Sequence, residues 1–327
     1  MELTRILVVG CGSIGRRHAS QLVRRNDCQL ELCDPVADNL AKVIAEVGEV
    51  PTYRSFDEAI ATRPELVIVA TPHSMHAEQS IIAMRSGAHV LCEKPMSDSL
   101  VDAEAMIAAA KETDRILDIG FTMHFHPAVI KVKELIDEGR LGKVLHVHWH
   151  IGTFDTLANS VSRHQSEVFG ALMMDYAHQP DLIYFWLGKT PTRVRSFGIQ
   201  GGELPFTSNP NVMTLVLEYS EALLATINLN YVQRPQRAHC EIIGDQGWIY
   251  VDLQTNRLTI GNRESESVEE LSFQIDRDAW FRAEHQAFFD ATQGLRPPES
   301  PAWRAIHSMH VVEAAIKSLR CTTPVDI

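Results

Sequence analysis

Hydrophobic and polar positions follow two different patterns along the chain, and the change falls near residue 120. Up to that point, short β-branched runs alternate with amphipathic stretches, which is typical of parallel strands joined by crossover helices. The pattern predicts a helix over 99–112 and strands over 5–10, 28–33, 65–71, 88–92 and 115–121. We therefore predict a doubly wound parallel sheet in this half of the chain.

Beyond residue 120 the pattern predicts a second architecture. A helix over 127–138 precedes a long strand over 144–154 and a helix around 170–187. Consecutive strands follow at 191–200, 211–219, 222–232, 237–244, 247–252 and 257–261. Two helices, over 277–293 and 302–320, end the predicted order. Such a run of strands requires an antiparallel or mixed sheet, one face of which the helix around 170–187 can cover.

Together the two patterns predict an α/β protein of two domains. The first domain is predicted over 1–121, and the second is an α+β domain over 122–327 with a large open, mainly antiparallel sheet. The final helices can pack back on the first domain. A chain of 327 residues is long enough for two domains that each bury a core of their own.

Composition and charge exclude several classes of protein. Apolar residues make up 45% and charged residues 22% of the chain, which is the balance of an ordinary globular protein. The formal charge of −12 argues against nucleic acid and anionic membranes as partners, because both require clustered Lys and Arg. The sequence contains neither a secretory signal pattern nor a run of about 20 apolar residues, so we expect a cytoplasmic protein.

A glycine motif directly follows the first predicted strand and opens a helix: Gly10-Cys11-Gly12-Ser13-Ile14-Gly15. In such a motif the first glycine permits a tight turn, the second lets a pyrophosphate approach the backbone, and the third lets helix and strand pack closely. The N-terminus of the helix supplies N–H donors and partial positive charge to the phosphates. These features predict a Rossmann domain that binds a dinucleotide.

Asp34 indicates which dinucleotide is preferred. It ends the second predicted strand, about 20 residues after the glycine motif, where a carboxylate accepts a hydrogen bond from a ribose 2′-hydroxyl. The same carboxylate repels a 2′-phosphate, and residues 35–38 contain no Arg that could bind one. We therefore predict NAD as the cofactor, preferred over NADP.

Three further segments indicate a family. Thr71-Pro72-His73-Ser74-Met75-His76 and Cys92-Glu93-Lys94-Pro95 each follow or end a predicted strand, and Asp175-Tyr176-Ala177-His178-Gln179-Pro180-Asp181 lies on a predicted helix. With the glycine motif they resemble the glucose-fructose oxidoreductase / inositol dehydrogenase (Gfo/Idh/MocA) family over nearly the whole chain. The resemblance implies a Rossmann domain, an open-sheet α/β domain and an active site in the cleft between them.

The resemblance also implies roles for individual residues. Lys94 is expected to reach the reacting hydroxyl and the nicotinamide ribose, His178 to act as the acid/base, and Asp175 to contact the substrate. Substrate contacts are expected from His124, Asp175 and His178. Cofactor contacts are expected from Gly10, Gly12, Ser13, Ile14, Gly15, Asp34, Thr71, Pro72, His76, Glu93 and Lys94.

The residue types suit hydride transfer from a secondary alcohol. That reaction leaves a proton to be removed, for which the imidazole of His178 is suited, while Lys94 can stabilise the developing alkoxide. Asp175 and His178 are three residues apart on the predicted helix, as are His178 and Asp181, so each pair shares a helical face. The sequence leaves open which carboxylate orients the imidazole.

Other polar groups have competing interpretations. His146, His148 and His150 share one face of a predicted strand, and they could form a metal site with His124 or His126. Same-face residues on a strand stand about 6.5 Å apart, which is too far to meet one ion, so we predict no metal and favour a substrate cleft or an interface. Arg234 and Arg237 could hold a substrate carboxylate, although an exposed hairpin is the more common setting for such a pair.

The sequence therefore predicts an NAD-dependent oxidoreductase that transfers a hydride between nicotinamide and a secondary hydroxyl of a sugar, polyol or sugar derivative. One alternative is a redox-neutral sugar epimerase or lyase that uses NAD, and another is a non-catalytic regulator that senses a dinucleotide. A sensor would not need Lys94 and His178, so the presence of both residues counts against a sensor. The second domain is expected to bind substrate and to form a homodimer or homotetramer, because the uncovered face of its sheet must be buried.

Overall fold

The structure is a computed structural model that describes residues 3–159, 164–204 and 207–327. The chain divides into two compact units. One unit, called here the Rossmann unit, comprises residues 1–125 and 276–306; the other, called the sheet unit, comprises residues 126–275 and 307–327. The sequence pattern predicts a division between residues 121 and 122, and the compact units divide four residues later. Residues 276–306, late in the chain, also belong to the first unit.

The strands are, in chain order, β1 (Thr4–Val9), β2 (Cys28–Cys33), β3 (Thr52–Tyr53), β4 (Leu66–Val69), β5 (His89–Glu93), β6 (Leu117–Gly120), β7 (Val144–Gly152), β8 (Arg193–Ile199), β9 (Val212–Glu218), β10 (Leu224–Asn230), β11 (Arg237–Gly244), β12 (Gly247–Asp252), β13 (Arg257–Asn262), β14 (Val268–Ser272) and β15 (Val325–Asp326).

The helices are, in chain order, α1 (Ser13–Leu22), α2 (Ala37–Val47), α3 (Phe56–Ala61), α4 (His76–Arg85), α5 (Leu100–Thr113), α6 (Pro127–Asp137), α7 (Phe154–Ala158), α8 (His164–Glu167), α9 (Ala171–Asp175), α10 (His178–Leu187), α11 (Arg277–Thr292) and α12 (Ala302–Cys321). Short 3₁₀ turns span His73–Met75 and Thr122–Phe125.

The Rossmann unit is built on a six-stranded sheet in the order β3-β2-β1-β4-β5-β6, with every pair of neighbours parallel. The strands β1 and β4 form because their continuous apolar runs are buried on both faces of the sheet, as parallel strands covered by helices require. Phe288 and Phe289 of α11 join the same apolar core, which explains why a late helix belongs to this unit. The predicted doubly wound sheet is confirmed.

The sheet unit contains a nine-stranded sheet in the order β14-β13-β12-β11-β7-β10-β9-β8-β15. Only the β7–β10 pair of these described strands is parallel. Buried and half-exposed positions alternate along β9, β10 and β12, so one face of the sheet is covered and the other is not. Trp149 of β7 stacks on Trp186 of α10 at 5.6 Å between ring centroids, which confirms that this helical region covers one face.

The helix predicted around 170–187 is two helices, α9 and α10, and the single-helix prediction is wrong. Tyr176 breaks the run with φ −105° and ψ 33°. The cause is Pro180, whose ring would clash with the carbonyl of Tyr176 in a continuous helix, whereas the first turn of a new helix tolerates proline. Asp175 and His178 therefore do not share a helical face, while His178 and Asp181 both lie on α10.

Smaller differences concern the strand ends and edges. The strand predicted to reach residue 154 stops at Gly152, and Phe154–Ala158 forms α7 instead. The pattern missed three strands at or near the sheet edges, β3, β14 and β15, because two of them are two residues long and β14 is mostly exposed and charged. Among the described residues, no helix has both the length and the apolar character needed to cross a membrane.

Candidate active site

Two glycines of the glycine motif are required by the packing of the protein itself. Gly10 has φ +89°, and a Cβ at this position would lie 2.6 Å from the carbonyl oxygen of Ala70. A Cβ at Gly15 would lie 1.7 Å from the carbonyl oxygen of Gly10. These distances are shorter than any side chain tolerates, so the motif closes a tight turn between β1 and α1 and packs this helix directly on the sheet.

Gly12 has the opposite surroundings. A Cβ at this position would meet no described atom within 4 Å, so the fold does not need the glycine, and the space beside it is open. Gly12 precedes α1, whose N-terminus has no cap from a described side chain and no acidic residue in its first turn. Open space beside N–H donors and a positive helix end suits a pyrophosphate, so these residues fit a dinucleotide.

Paired glycine variants test this assignment. We expect Gly12→Ala to fold with a nearly unchanged Tm and to weaken NADH binding about tenfold or more, because the new methyl group occupies the space left for the pyrophosphate. Gly15→Ala is expected to lower stability by about 1–3 kcal/mol or more, because its methyl group overlaps a carbonyl oxygen. Thermal melting and NADH titration measure both effects, and equal loss of stability in the two variants would contradict the assignment.

Asp34 follows β2 and holds the glycine motif in place. Its carboxylate accepts hydrogen bonds from the backbone N–H of Cys11 at 2.7 Å and of Val36 at 2.8 Å. The side-chain amide of Asn39 lies 3.2 and 3.3 Å from the two carboxylate oxygens. Asp34 is 5% exposed, so its negative charge is fixed beside the motif. Asn39 was not singled out by the sequence, since no motif marks it.

His76 braces the ends of two neighbouring strands. Its ring nitrogens lie 2.8 Å from the carbonyl oxygen of Thr71, after β4, and 3.0 Å from that of Pro95, after β5. Two acceptors require two N–H donors, which only the charged imidazolium supplies. Burial opposes this charge, but the Cys92 side chain and the two carbonyls favour it, and the pKa of His76 is raised to about 9. His76 therefore holds the segments after β4 and β5 in position at the edge of the sheet where the cofactor is predicted to bind.

The pKa of His76 makes a prediction about stability. The pKa of His76 in the folded protein is raised above the ordinary value of about 6.5. The charged ring therefore adds its full contribution to the free energy of unfolding below pH 6.5, and this contribution is lost as the pH rises through about 9. We expect wild type to lose on the order of 3 kcal/mol relative to His76→Gln across this range, because glutamine does not titrate. Urea unfolding at several pH values measures the difference, and a constant gap between the two proteins would rule this role out.

The other side chains of this segment lie at the same edge. Thr71 donates its hydroxyl to Oε1 of Gln79 on α4 at 2.7 Å, and Pro72 precedes the 3₁₀ turn His73–Met75. Thr71 itself is half-buried. The segment is therefore anchored from within the unit, with Gln79 as a contact that the sequence did not indicate.

Glu93, the last residue of β5, lies in a chain of buried hydrogen bonds. His18 Nε2 is 2.9 Å from Glu93 Oε1, and His285 Nε2 is 2.7 Å from His18 Nδ1. Burial holds the pKa of His285 well below its usual range, so this ring is neutral. Burial also opposes the charge of Glu93, but the His18 hydrogen bond and the Lys94 ammonium keep the pKa of Glu93 below its usual value. A buried, ionised carboxylate thus stands directly before Lys94.

Lys94 is half-buried, and its backbone N–H donates to the carboxylate of Glu93 at 3.2 Å. The sheet order β2-β1-β4-β5 places the residues that follow these strands, including Asp34, Gly10, Thr71 and Lys94, along one carboxyl edge. Ligands of open α/β sheets bind at this edge, where the strand order reverses. The Rossmann unit therefore gathers the predicted cofactor residues and Lys94 at one edge.

His124 is placed differently from its prediction. It lies in a 3₁₀ turn of the Rossmann unit, is 3% exposed, and stacks on Phe121 at 5.9 Å between ring centroids. Its Nδ1 lies 3.0 Å from the hydroxyl of Ser300. This hydrogen bond indicates that His124 helps to hold Ser300 in the unit, and the predicted substrate contact stays a prediction.

In the sheet unit, Asp175 and Asp181 have different surroundings. Asp175 is half-buried and accepts a hydrogen bond from the hydroxyl of Tyr231, a fully buried residue. Burial and the neighbouring Asp175 carboxylate hold the pKa of Tyr231 well above its usual value, so the hydroxyl stays protonated and donates. Asp181 is 5% exposed in the first turn of α10. His178, the first residue of α10, is half-buried.

The strand histidines make contacts with neighbouring strands. His146 and His148 lie 3.3 and 2.8 Å from the hydroxyl of Thr226 on β10, and His150 stacks on His239 of β11. The described residues contain no group of three His, Cys, Asp or Glu side chains that could hold a metal ion. The hydrogen bonds instead help to align β7 with its neighbours on the half-exposed face.

Arg234 lies in a loop between β10 and β11, and its guanidinium is 3.3 Å from Asp155 of α7. Its side chain is 68% exposed. Arg237, the first residue of β11, is also exposed. The setting is exposed, as the hairpin interpretation requires, but the hairpin itself is wrong: β7 lies between β10 and β11 in the sheet, so the loop crosses over the end of β7.

The parallel sheet, the glycine motif and the open space beside Gly12 are typical of a dinucleotide-binding Rossmann unit. A model of the oxidoreductase family with an NAD-binding Rossmann fold matches residues 4–121, and a model of the GFO/IDH/MocA C-terminal domain matches residues 129–250. The chain therefore belongs to the Gfo/Idh/MocA oxidoreductase family, as its motifs predicted. It is an oxidoreductase whose first unit is an NAD-binding Rossmann domain.

Individual proteins agree with this assignment. The chain is 30% identical over 252 residues to an uncharacterised oxidoreductase of Streptococcus pneumoniae (75% of this chain, 68% of the relative). It is 28% identical over 259 residues to myo-inositol 2-dehydrogenase of Thermotoga maritima (76% and 75%) and 27% identical over 256 residues to 2,7-anhydro-N-acetylneuraminate hydratase of Escherichia coli (76% and 67%).

The fold also matches solved structures. An oxidoreductase from Agrobacterium radiobacter, in complex with NAD+, L-tartaric acid and magnesium, has a TM-score of 0.89 to this chain at 19% identity, and the match covers 99% of this chain and 98% of the other. At this level of identity the match supports the fold.

Proposed function

We propose that the protein is an NAD-dependent dehydrogenase that transfers a hydride between nicotinamide and a secondary hydroxyl of a sugar, polyol or sugar derivative. The observation that carries the proposal is the carboxyl edge of the Rossmann unit, where the open space at Gly12, the fixed carboxylate of Asp34 and the amino group of Lys94 belong to neighbouring strand ends. The substrate class is supported by the relative named as an inositol dehydrogenase.

In this proposal NAD, when bound, supplies the hydride acceptor, and the side chains of the protein handle the charge and the proton. Lys94 stabilises the negative charge that develops on the reacting oxygen. His178 accepts the proton of the substrate hydroxyl during oxidation and returns it during reduction. Glu93 directly precedes Lys94, and the Lys94 ammonium helps to keep the pKa of the Glu93 carboxylate below its usual value.

Asp175 is the better candidate for the working carboxylate. It is half-buried and fixed by the Tyr231 hydroxyl, so it can present an oxygen to a substrate hydroxyl at a defined position. Asp181 is almost fully buried in the first turn of α10, where a carboxylate stabilises the helix N-terminus. We therefore assign substrate contact to Asp175 and a structural role to Asp181.

The proposed preference for NAD over NADP rests on Asp34. Its carboxylate is held by two backbone N–H groups beside the glycine motif, where it can accept from a ribose 2′-hydroxyl and repels a 2′-phosphate.

The experiment that tests the function is a substrate screen. Purified protein is incubated with NAD and a library of polyols, sugars and sugar derivatives, and the nicotinamide absorbance is followed. The proposal expects NADH to form with at least one member. Binding of NADH without turnover of any member would count against a dehydrogenase.

A redox-neutral reaction is the second candidate, and the relative named as a hydratase favours it. In that case the substrate would be consumed while no net NADH accumulated, and the cofactor would copurify with the protein. Product analysis by NMR, compared with the NADH signal, separates the two candidates.

We also propose self-association into a dimer or tetramer through the half-exposed face of the nine-stranded sheet. This face carries polar and aromatic side chains, including His148, His239 and Tyr250. Burial of such a face between copies is a common solution for open sheets. Light scattering that found only a monomer of 36.6 kDa would exclude it.

A further inference from the structure

A positive charge lies beside Asp34, at a position that the sequence around Asp34 does not reveal. The parallel register pairs Cys33 of β2 with Tyr53 of β3, so the residues that follow, Asp34 and Arg54, leave the sheet side by side. The backbone N–H of Asp34 donates to the carbonyl of Tyr53 at 3.1 Å. Arg54 is therefore a neighbour of the β2–α2 connection despite a separation of about twenty residues along the chain.

The guanidinium of Arg54 already contacts this connection. Its Nε and Nη2 atoms donate to the carbonyl oxygen of Pro35, at 3.3 and 2.8 Å. The side chain is exposed, and both of these donors contact the same carbonyl oxygen. Such a contact is easily exchanged for a stronger acceptor, because the carbonyl is uncharged and the bond is exposed to water, whereas a phosphate adds a negative charge and accepts two parallel bonds from a guanidinium.

We propose that Arg54 is placed to bind the 2′-phosphate of NADP, and that the neighbouring carboxylate of Asp34 outweighs this contact and keeps the site selective for NAD. This proposal rests on the proposed function, which places the adenosine ribose at Asp34. A 2′-phosphate at that ribose would meet the fixed carboxylate of Asp34, and the guanidinium of Arg54 lies at the carbonyl oxygen of Pro35, the next residue along the chain.

The two charges differ in how freely they can respond. Asp34 is buried and tied to Cys11 and Val36, so it cannot turn away from an incoming phosphate, and its repulsion persists. Arg54 is exposed and held by one carbonyl, so it can reorient toward the phosphate. Repulsion therefore dominates in the wild type, and the attraction of Arg54 becomes visible when the carboxylate is removed.

The test is a cycle of variants with binding as the readout. Dissociation constants for NADPH and NADH are measured by nucleotide fluorescence for wild type, Asp34→Ser, Arg54→Ala and the double variant. We expect Asp34→Ser to strengthen NADPH binding about tenfold or more, and Arg54→Ala to remove most of that gain while leaving NADH binding unchanged. Adenosine 2′,5′-bisphosphate serves as a second probe, because it carries the 2′-phosphate and lacks nicotinamide.

A matched control separates a specific contact from a general loss of charge. Arg85 is also exposed in the Rossmann unit, but it pairs with Glu112 of α5 at 3.2 Å. Arg85→Ala in the Asp34→Ser background is expected to leave NADPH binding unchanged. If Arg54→Ala weakens NADPH binding no more than Arg85→Ala does, Arg54 is not the phosphate ligand.

Two further comparisons separate a folding defect and a failed cofactor site from a failed assignment of Arg54. If Asp34→Ser disturbs folding, the cycle is repeated with Asp34→Asn, which keeps an acceptor for the Cys11 N–H, and with Arg54→Ala in the wild-type background. If wild type binds neither NADH nor NADPH, the proposed cofactor site fails and this proposal fails with it. If NADH binds throughout and Arg54→Ala has no effect on NADPH in any background, only the assignment of Arg54 fails.

Discussion

Lys94→Ala is expected to lower kcat by about 10²- to 10³-fold while NADH still binds. The ammonium of Lys94 is assigned to the charge that develops on the reacting oxygen, so its removal acts mainly on the transition state. In the proposed site the dinucleotide is held chiefly by the glycine motif and Asp34, which follow other strands of the sheet. Steady-state kinetics and NADH titration, measured on the same preparation, check both parts.

Two controls accompany this variant. Lys111→Ala removes an exposed lysine of α5 in the same unit and is expected to leave kcat unchanged. Lys94→Arg keeps the charge and is expected to retain part of the activity. Unchanged turnover of Lys94→Ala would remove Lys94 from the mechanism, and a dinucleotide sensor would then be the better description.

His178→Ala is expected to lower kcat by about 10²- to 10⁴-fold, the usual contribution of a general base. A histidine accepts a proton only in its neutral form. Oxidation by wild type should therefore fall as the pH drops below the pKa of the base, and the residual activity of His178→Ala should lack this decline. A pH profile of kcat for both proteins makes the comparison.

The two aspartates provide the matched comparison for His178. Asp175→Asn is expected to raise KM and lower kcat, because it changes a group assigned to the substrate. Asp181→Asn is expected to lower the Tm with little change in kcat, because Asp181 is buried in the first turn of α10. The reverse outcome would transfer the working role from Asp175 to Asp181.

Much of the Rossmann unit could be predicted because its signals are local. The glycine motif lies between a strand and a helix, and the apolar runs of β1 and β4 mark buried parallel strands. Gly10 and Gly15 have the tight surroundings that the motif implies, and Gly12 has the open space. Lys94 could be placed at a strand end for the same reason.

Other features depend on contacts that the sequence does not display. Arg54 reaches Pro35, the residue after Asp34, through the register of β2 and β3, and His285 reaches His18 from α11, far along the chain. The hydrogen bond between His124 and Ser300 joins residues far apart in the chain, so the residues around His124 do not predict it. The break between α9 and α10 can be predicted from the sequence, because Pro180 is incompatible with a continuous helix at Tyr176.

In the proposed mechanism, Lys94 and His178 serve the transfer of a hydride from a secondary alcohol carbon to the bound cofactor. The most direct test incubates the protein with NAD and sugars or polyols that carry deuterium on the carbinol carbon, and locates the label by mass spectrometry. We predict deuterium in the nicotinamide ring with wild type, and at most a trace with Lys94→Ala and His178→Ala under conditions where both variants bind NAD. Label that stays on the alcohol with wild type, or reaches the ring equally in all three proteins, would contradict the account.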